Sequence, residues 1–183
     1  MIAVKQIQPA RKIPEDINVV IEIPSDSSAI KYEIDKDTGM LAVDRFMPTA
    51  MHYPCNYGFV PNTLAKDGDP VDALVLTPLP VQAGSLIRVR AIGLLNMVDE
   101  AGEDGKILAV PIEKVCAQLA NIKQLSDVAP ILLDRIVHFF EQYKALEPGK
   151  WVKVVGWQPL DAAIEELKAS IARYQETEKT SLV

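Results

Sequence analysis

Strand-like alternation of apolar and polar residues dominates the first 110 positions of this 183-residue chain, and helical periodicity appears only after residue 130. In residues 17–23, INVVIEI, every second side chain is apolar, while Glu22 lies on the opposite face. Further strands are predicted at residues 30–34, 40–46, 71–77, 85–95, 106–110 and 151–157. Many short strands followed by helices favour an α+β fold with a mainly β core, built as a closed or nearly closed small barrel.

Two helices are predicted in the last third of the chain. Residues 130–145 begin with Pro130 and carry apolar side chains at helical spacing, and residues 159–175 form a second amphipathic segment. We find no repeat, linker or low-complexity run, so we expect residues 1–183 to form a single domain whose barrel is flanked by these helices.

Composition excludes several classes of protein. Lys and Arg number 19 against 25 Asp and Glu, a net charge of -6 that is the wrong sign for a general nucleic-acid or anionic-membrane binder. The two cysteines, Cys55 and Cys116, are too few for a secreted disulfide framework. No run approaches the ~20 apolar residues of a membrane helix, and the first twelve residues lack the apolar core of a secretion signal. We therefore expect a cytoplasmic protein without nucleic-acid or membrane partners.

The negative charge is concentrated in residues 67–104, which hold seven acidic residues and two arginines. In the acidic loop, residues 67–72, three carboxylates fall within Asp67-Gly68-Asp69-Pro70-Val71-Asp72, where Gly and Pro impose a turn that makes the acids converge. Clustered carboxylates repel one another unless cations lie between them. Oxygen ligands of this kind suit Mg²⁺, Mn²⁺ or Ca²⁺ rather than zinc.

A second group of acids forms the acidic turn, residues 99–106, with the sequence DEAGEDGK. By itself this segment is typical of an exposed turn between two strands. Joined to the acidic loop in a small barrel, it completes a site for more than one metal ion. Nearby cations, each of which alone is typical of a surface salt bridge, are what a polyanionic substrate such as a phosphate compound needs: Lys31, Arg45, Lys106 and Lys144.

Three other interpretations of these acids can be compared with the sequence. A calcium-binding EF-hand loop opening at Asp67 fails because its fifth and twelfth positions are Val71 and Pro78. The phosphatase motif Asp-x-Asp normally follows a buried apolar strand, whereas PNTLAK precedes this one. A non-catalytic metal- or oligoanion-binding module remains an alternative, because small OB-type barrels often bind oligonucleotides.

With these residues in place, the chain resembles the soluble family I inorganic pyrophosphatases of the bacterial type. The segment DGDPVDA, residues 67–73, matches the signature of that family, and YPCNYGFVP, residues 53–61, resembles its lead-in. The similarity extends from Glu22 to Lys144. It implies a five-stranded OB-like closed barrel flanked by helices, Mg²⁺-dependent hydrolysis of pyrophosphate to two phosphates with Mn²⁺ as a substitute metal, and a homohexamer.

The resemblance also implies a role for each charged position. Asp69 corresponds to the acid that orients and deprotonates the attacking metal-bound water. Carboxylates that resemble metal ligands are Asp67, Asp72 and Asp104 for the tighter metal, and Glu22, Glu33 and Asp99 for the metals that accompany the substrate. Side chains that resemble the groups binding phosphoryl oxygens are Lys31, Arg45, Tyr57, Lys106, Tyr143 and Lys144.

Overall fold

The computed structural model describes residues 4–35 and 38–181. The strands in these residues are β1 (Ala10–Lys12), β2 (Asp16–Ile23), β3 (Ile30–Ile34), β4 (Leu41–Phe46), β5 (Asn56–Phe59), β6 (Asp72–Val75), β7 (Leu86–Asp99), β8 (Gly102–Glu103), β9 (Lys106–Pro111) and β10 (Val152–Gln158). The helices are α1 (Pro130–Gln142) and α2 (Leu160–Ser181), and short 3₁₀ turns occupy Val4–Gln6, Ala117–Leu119 and Leu125–Asp127.

A ring of five strands forms the centre of the fold. Strand β2 pairs with β5, β5 with β6, β6 with β9, β9 with β7, and β7 pairs back with β2. Only the β6–β9 pair of this ring is parallel. Closing the ring removes its unpaired edges, and it confirms the predicted five-stranded OB-like barrel with helices outside it. Strands β1 and β10 extend the sheet, while β3 and β4 form a separate hairpin.

The two larger apolar cores of the described residues lie on opposite sides of the strands. The first is aliphatic and includes Ile21, Val75 and Ile107, with Ala163 and Leu167 of α2 packed against it. The second lies under α1 and contains the aromatic side chains Phe139 and Phe140. Burial of a Leu, Ile, Val or Phe side chain stabilises a fold by about 1.5–3 kcal/mol, so both helices are fixed to the barrel by their apolar faces.

Strand β5 was absent from the strands predicted by alternation. Residues 56–59 are NYGF, a segment of four residues with a glycine, which gives no periodic signal. The glycine is required by tertiary structure: a Cβ atom on Gly58 would lie 2.0 Å from the backbone oxygen of Val20 on β2. This close approach lets β5 pair with β2 and complete the ring.

Other boundaries differ by a few residues. Helix α1 ends at Gln142 rather than at residue 145, and α2 continues to Ser181 rather than ending at residue 175. Strand β7 continues to Asp99 because it pairs there with β8 and β10. The turn predicted before β4 begins with Lys36 and Asp37, which lie outside the described residues.

No helix within residues 4–35 and 38–181 combines the length and the apolar character needed to span a membrane.

Candidate active site

A cavity of about 310 Å³ lies where β6 and β9 begin and β7 ends. All thirteen residues proposed from the sequence line it, namely Glu22, Lys31, Glu33, Arg45, Tyr57, Asp67, Asp69, Asp72, Asp99, Asp104, Lys106, Tyr143 and Lys144. Sequence reasoning missed two charged lining residues, Glu100 and Lys150. Glu100 stands within the acidic turn and could have been included on that ground.

Lys106 connects the acidic loop to the acidic turn. The parallel pairing of β6 and β9 sets Asp72 opposite Lys106. The Lys106 ammonium lies 2.5 Å from Asp72 Oδ2 and 2.8 Å from Asp104 Oδ1, and only 2% of its side chain is exposed. Burial lowers the pKa of Lys106, but the charges of Asp104 and Asp72 outweigh it and raise that pKa well above its usual value. Lys106 is therefore a permanent buried cation between two carboxylates.

The acidic loop is shaped by backbone hydrogen bonds. Gly68 has a φ of +95°, a conformation that favours glycine. The Asp69 N–H donates to Asp67 Oδ1 at 3.0 Å, and the Ala65 N–H donates to the Asp69 carbonyl at 2.7 Å. Asp67 and Asp69 are both exposed, yet desolvation raises the pKa of Asp67, with the charges of Asp104 and Asp69 adding to the shift. The loop thus presents two carboxylates to the cavity mouth.

The acidic turn is held by lysines. Lys144, which follows α1, donates to Asp99 Oδ2 at 2.8 Å, and Lys150 lies 2.7 Å from Glu100 Oε1. Burial raises the pKa of Glu100, but the hydrogen bond from Lys150 and the charge of Lys144 outweigh it and lower that pKa to about 2. The carboxylates of Asp99 and Glu100 are therefore each paired with a lysine of this chain.

The opposite wall of the cavity comes from β2 and the β3–β4 hairpin. Glu22 is 7% exposed and accepts a hydrogen bond of 2.7 Å from the Ile34 N–H. Burial raises its pKa to about 8, with the charges of Asp72 and Glu33 adding to the shift. On the hairpin, Lys31 contacts Glu33 and stands opposite Arg45 in the strand register.

Arg45 is held by a residue that the sequence did not suggest. Its Nε donates to Glu147 Oε2 at 3.0 Å, and its Nη1 donates to Asp44 Oδ2 at 2.7 Å. Glu147 stands 102 positions later in the chain, so no local pattern announces this pair. Both bonds hold the guanidinium in the lining of the cavity.

Two tyrosines complete the lining. The Tyr57 hydroxyl donates to Asp72, and Tyr143 stacks on Phe139 with ring centroids 5.3 Å apart. Desolvation raises the pKa of both phenols, so each remains a protonated hydrogen-bond donor at neutral pH.

The charged side chains that line the cavity indicate which kind of ion it can bind. Among the described residues, eight carboxylates and five cationic side chains line it. The raised pKa values of Glu22, Asp67 and Asp72 have burial as their first cause and neighbouring carboxylates as a further one. An additional cation would relieve this repulsion, and an all-oxygen donor set fits Mg²⁺ or Mn²⁺.

The carboxylates are not assembled in advance around a common point. Within the described parts of the chain, no group of three His, Cys, Asp or Glu side chains forms a ready ligand cluster. Lys106 lies between Asp72 and Asp104 and pairs with both. Metal ligation at these two residues therefore requires the lysine to change partners.

Comparisons with known proteins all point to one family. A family model described as inorganic pyrophosphatase matches residues 19–175. The inorganic pyrophosphatase of Escherichia coli (strain K12) is 58% identical over 166 residues, which cover 90% of this chain and 94% of the relative. That of Aquifex pyrophilus is 56% identical over 93% of this chain and 96% of the relative. A solved structure of an inorganic pyrophosphatase from Coxiella burnetii is 58% identical, with a TM-score of 0.90 over 92% of this chain and 99% of the other.

Proposed function

This chain belongs to the inorganic pyrophosphatase family, and on that basis we propose that it hydrolyses inorganic pyrophosphate to two phosphates with Mg²⁺ as its cofactor. The observation that carries the proposal is the lining of one cavity by eight carboxylates and five cations. A carboxylate excess repels a polyanion unless divalent cations enter with it. The five cationic side chains then provide donors for the phosphoryl oxygens.

Carboxylates on four structural elements are suited to hold the metal ions. Asp67, Asp72 and Asp104 are proposed for the tighter ion, and Glu22, Glu33 and Asp99 for the ions that accompany the substrate. When bound, Mg²⁺ neutralises phosphoryl charge and acidifies water, so that hydroxide is available near neutral pH.

Asp69 is proposed as the general base. Its backbone N–H bonds to Asp67 and its carbonyl to Ala65, which holds the backbone that carries its side chain. The described lining residues include no Ser, Thr, Cys or His, and the carboxylates among them are assigned to metal ions or to proton transfer. Direct in-line attack by water, without a covalent intermediate, is therefore the proposed route.

The cations and phenols are proposed to bind the phosphoryl groups. Lys106 and Lys144 are paired with carboxylates at 2.5–2.8 Å, and they would exchange these partners for phosphoryl oxygens. Lys31 and Arg45 reach the cavity from the hairpin, while Tyr57 and Tyr143 donate neutral hydrogen bonds. Charge that develops on the leaving phosphate is thereby stabilised from several directions.

We further propose a cytoplasmic homohexamer formed by this single domain. Several large apolar side chains are exposed in the isolated chain, among them Met40, Val43, Phe46 and Leu79, and burial between subunits would stabilise an oligomer. Sedimentation equilibrium should give a particle about six times the 20.2 kDa of one chain. A 20 kDa particle at micromolar concentration would refute the oligomer.

Phosphate release tests the activity directly. Pyrophosphate should yield phosphate with Mg²⁺ or Mn²⁺, should yield none after chelation, and should be preferred to ATP. The Asp69→Asn variant, purified in the same way, controls for contaminating phosphatases. Metal binding without phosphate release would instead support a non-catalytic metal- or oligoanion-binding module.

A further inference from the structure

Helix α2 lies outside the cavity, yet it is bonded to the chain that leads into the acidic loop. The Leu64 N–H donates to the Ser170 carbonyl at 3.0 Å, and the Leu64 carbonyl accepts a hydrogen bond of 2.7 Å from Arg173 Nε. Both polar backbone groups of one residue thus bond to the same helix. Ser170 and Arg173 stand three positions apart, which places them on one helix face.

From Leu64 the hydrogen bonds continue to the proposed base. The next residue, Ala65, donates to the Asp69 carbonyl at 2.7 Å, and Ala65 also accepts from the Gly68 N–H at 3.3 Å. Asp69 in turn donates its N–H to Asp67 Oδ1. A displacement of Leu64 would therefore shift the two carboxylates that the loop presents.

The arginine is itself held in place. Arg173 Nη2 donates to Glu166 Oε1 at 2.6 Å, so the guanidinium uses one edge for the loop carbonyl and another for a carboxylate on its own helix. A lysine has a single ammonium centre and cannot reproduce this fork. The identity of residue 173 therefore matters beyond its charge.

Close packing does not replace these hydrogen bonds. A cavity of about 430 Å³ lies between this part of α2 and the acidic turn, beside the residues that precede the loop, and its lining includes Lys66, Glu103 and Arg173. The Lys66–Glu103 ion pair joins the residue before the loop to the turn, but its side chains are 54% and 62% exposed. Pairs this exposed contribute little.

We propose that Arg173 is a positioning residue for the active site, because its bond to the Leu64 carbonyl fixes the orientation of Asp67 and Asp69. The inference rests on the proposed pyrophosphatase activity. Arg173 touches neither substrate nor metal, and it acts through the backbone of residues 64–69. Loss of a group that orients metal ligands typically weakens metal affinity by about 10–100-fold, and small misplacements of reacting groups also lower kcat.

The test compares Arg173→Ala with a matched arginine that does not contact the loop. Arg88 pairs with Asp16 and is 28% exposed against 18% for its partner, whereas Arg173 and Glu166 are 31% and 22% exposed. Arg88→Ala therefore removes a comparable ion pair and controls for lost stability. Urea unfolding of both variants measures that loss.

Two readouts separate positioning from stability. Isothermal titration calorimetry with Mn²⁺, without substrate, measures metal affinity, and phosphate release over a range of Mg²⁺ gives the half-saturating concentration and kcat. We expect Arg173→Ala to weaken Mn²⁺ binding and to raise the Mg²⁺ requirement by about tenfold. Arg88→Ala should leave both at the wild-type value, and Arg173→Lys should recover only part of the loss.

Equal metal affinity and equal kcat in Arg173→Ala and Arg88→Ala would overturn the positioning role. Full recovery in Arg173→Lys would likewise contradict the claim that the fork is needed. If the wild-type chain binds Mn²⁺ but releases no phosphate, the proposed function fails. The calorimetric comparison then still decides whether Arg173 orients the metal-binding loop.

Discussion

The acidic loop and the acidic turn bring carboxylates to the same cavity, but different forces hold them. In the loop, hydrogen bonds of backbone N–H groups fix the chain, and most of them go to uncharged acceptors, such as the bond from Val71 N–H to Thr63 Oγ1 at 2.9 Å. In the turn, ion pairs of Asp99 with Lys144 and of Glu100 with Lys150 do so. Neutral bonds vary little with pH, whereas ion pairs are lost when a carboxylate is protonated. The loop is therefore suited to hold a base in place, and the turn to exchange cations.

Asp69→Asn is expected to have the largest effect. The amide keeps the volume and one oxygen but cannot accept a proton, so kcat should fall by about 10²–10⁴. Folding and metal-induced stabilisation should stay near wild type, and higher pH should partly restore the rate. The measurement is phosphate release against pH and Mg²⁺. Complete recovery with Mg²⁺ alone, without pH dependence, would assign Asp69 as a ligand instead.

Asp72→Asn tests the link between the two regions. Asp72 ends the loop and shares Lys106 with Asp104 of the turn. Removing its charge should lower activity by about 10–100-fold at limiting Mg²⁺, and the defect should shrink as Mg²⁺ is raised. A defect of constant size at all Mg²⁺ concentrations would argue against ligation by Asp72. Activity titrations of the wild type and Asp69→Asn provide the comparison.

Glu22→Gln tests the buried carboxyl group on the cavity wall opposite the acidic loop and the acidic turn. Burial raises the pKa of Glu22 from its usual 4.5 to about 8. The folded protein then retains a proton that the unfolded chain releases, so the free energy of unfolding of the metal-free protein should fall as pH rises from 4.5 to 8. The glutamine side chain of the variant has no proton to lose in this range, so the stability of the variant should vary less with pH. Urea unfolding at several pH values measures both, and parallel curves would contradict the prediction.

The smallest expected effects are changes in the free energy of unfolding, and they should differ in sign between the acidic turn and the acidic loop. The pKa of Glu100 is lowered to about 2, so its stabilising contribution is present above the usual value of 4.5 and is lost as pH falls towards 2. Glu100→Gln should destabilise the metal-free protein at pH 7 by less than about 1 kcal/mol, because the pair is partly exposed. The difference from wild type should vanish in acid.

Asp67→Asn is the matched substitution in the loop. Desolvation raises the pKa of Asp67 above its usual 3.8, so ionisation there opposes folding at neutral pH. The asparagine side chain of the variant still offers an oxygen to the Asp69 N–H, and the variant should be as stable as the wild type or more so. Destabilisation of equal size in both variants would erase the proposed difference between the two regions.

Much of the fold followed from short-range patterns. Sequence patterns located β2, β3, β4, β9 and β10 to within one residue at each end. Alternation marked β2, β3 and β4, whereas β9 is a continuous apolar run that is buried along its whole length. These patterns failed at β5, whose four residues form a strand only because Gly58 allows contact with the Val20 backbone. The last residues of β7 were also missed, since pairing with β10 extends that strand into the acidic turn.

The sequence by itself determined which chemical groups the molecule offers: converging carboxylates at Gly68 and Pro70 and cations at fixed strand positions. The resemblance to a known family extended this to thirteen side chains, all of which line one cavity. Only the tertiary structure decided which groups are paired. Lys106 bonds Asp72 from 34 positions away, Arg45 bonds Glu147 from 102, and Arg173 bonds Leu64 from 109. Local patterns report neighbours within a turn or a strand. Partners this distant are set by barrel register and helix packing, which no short segment encodes.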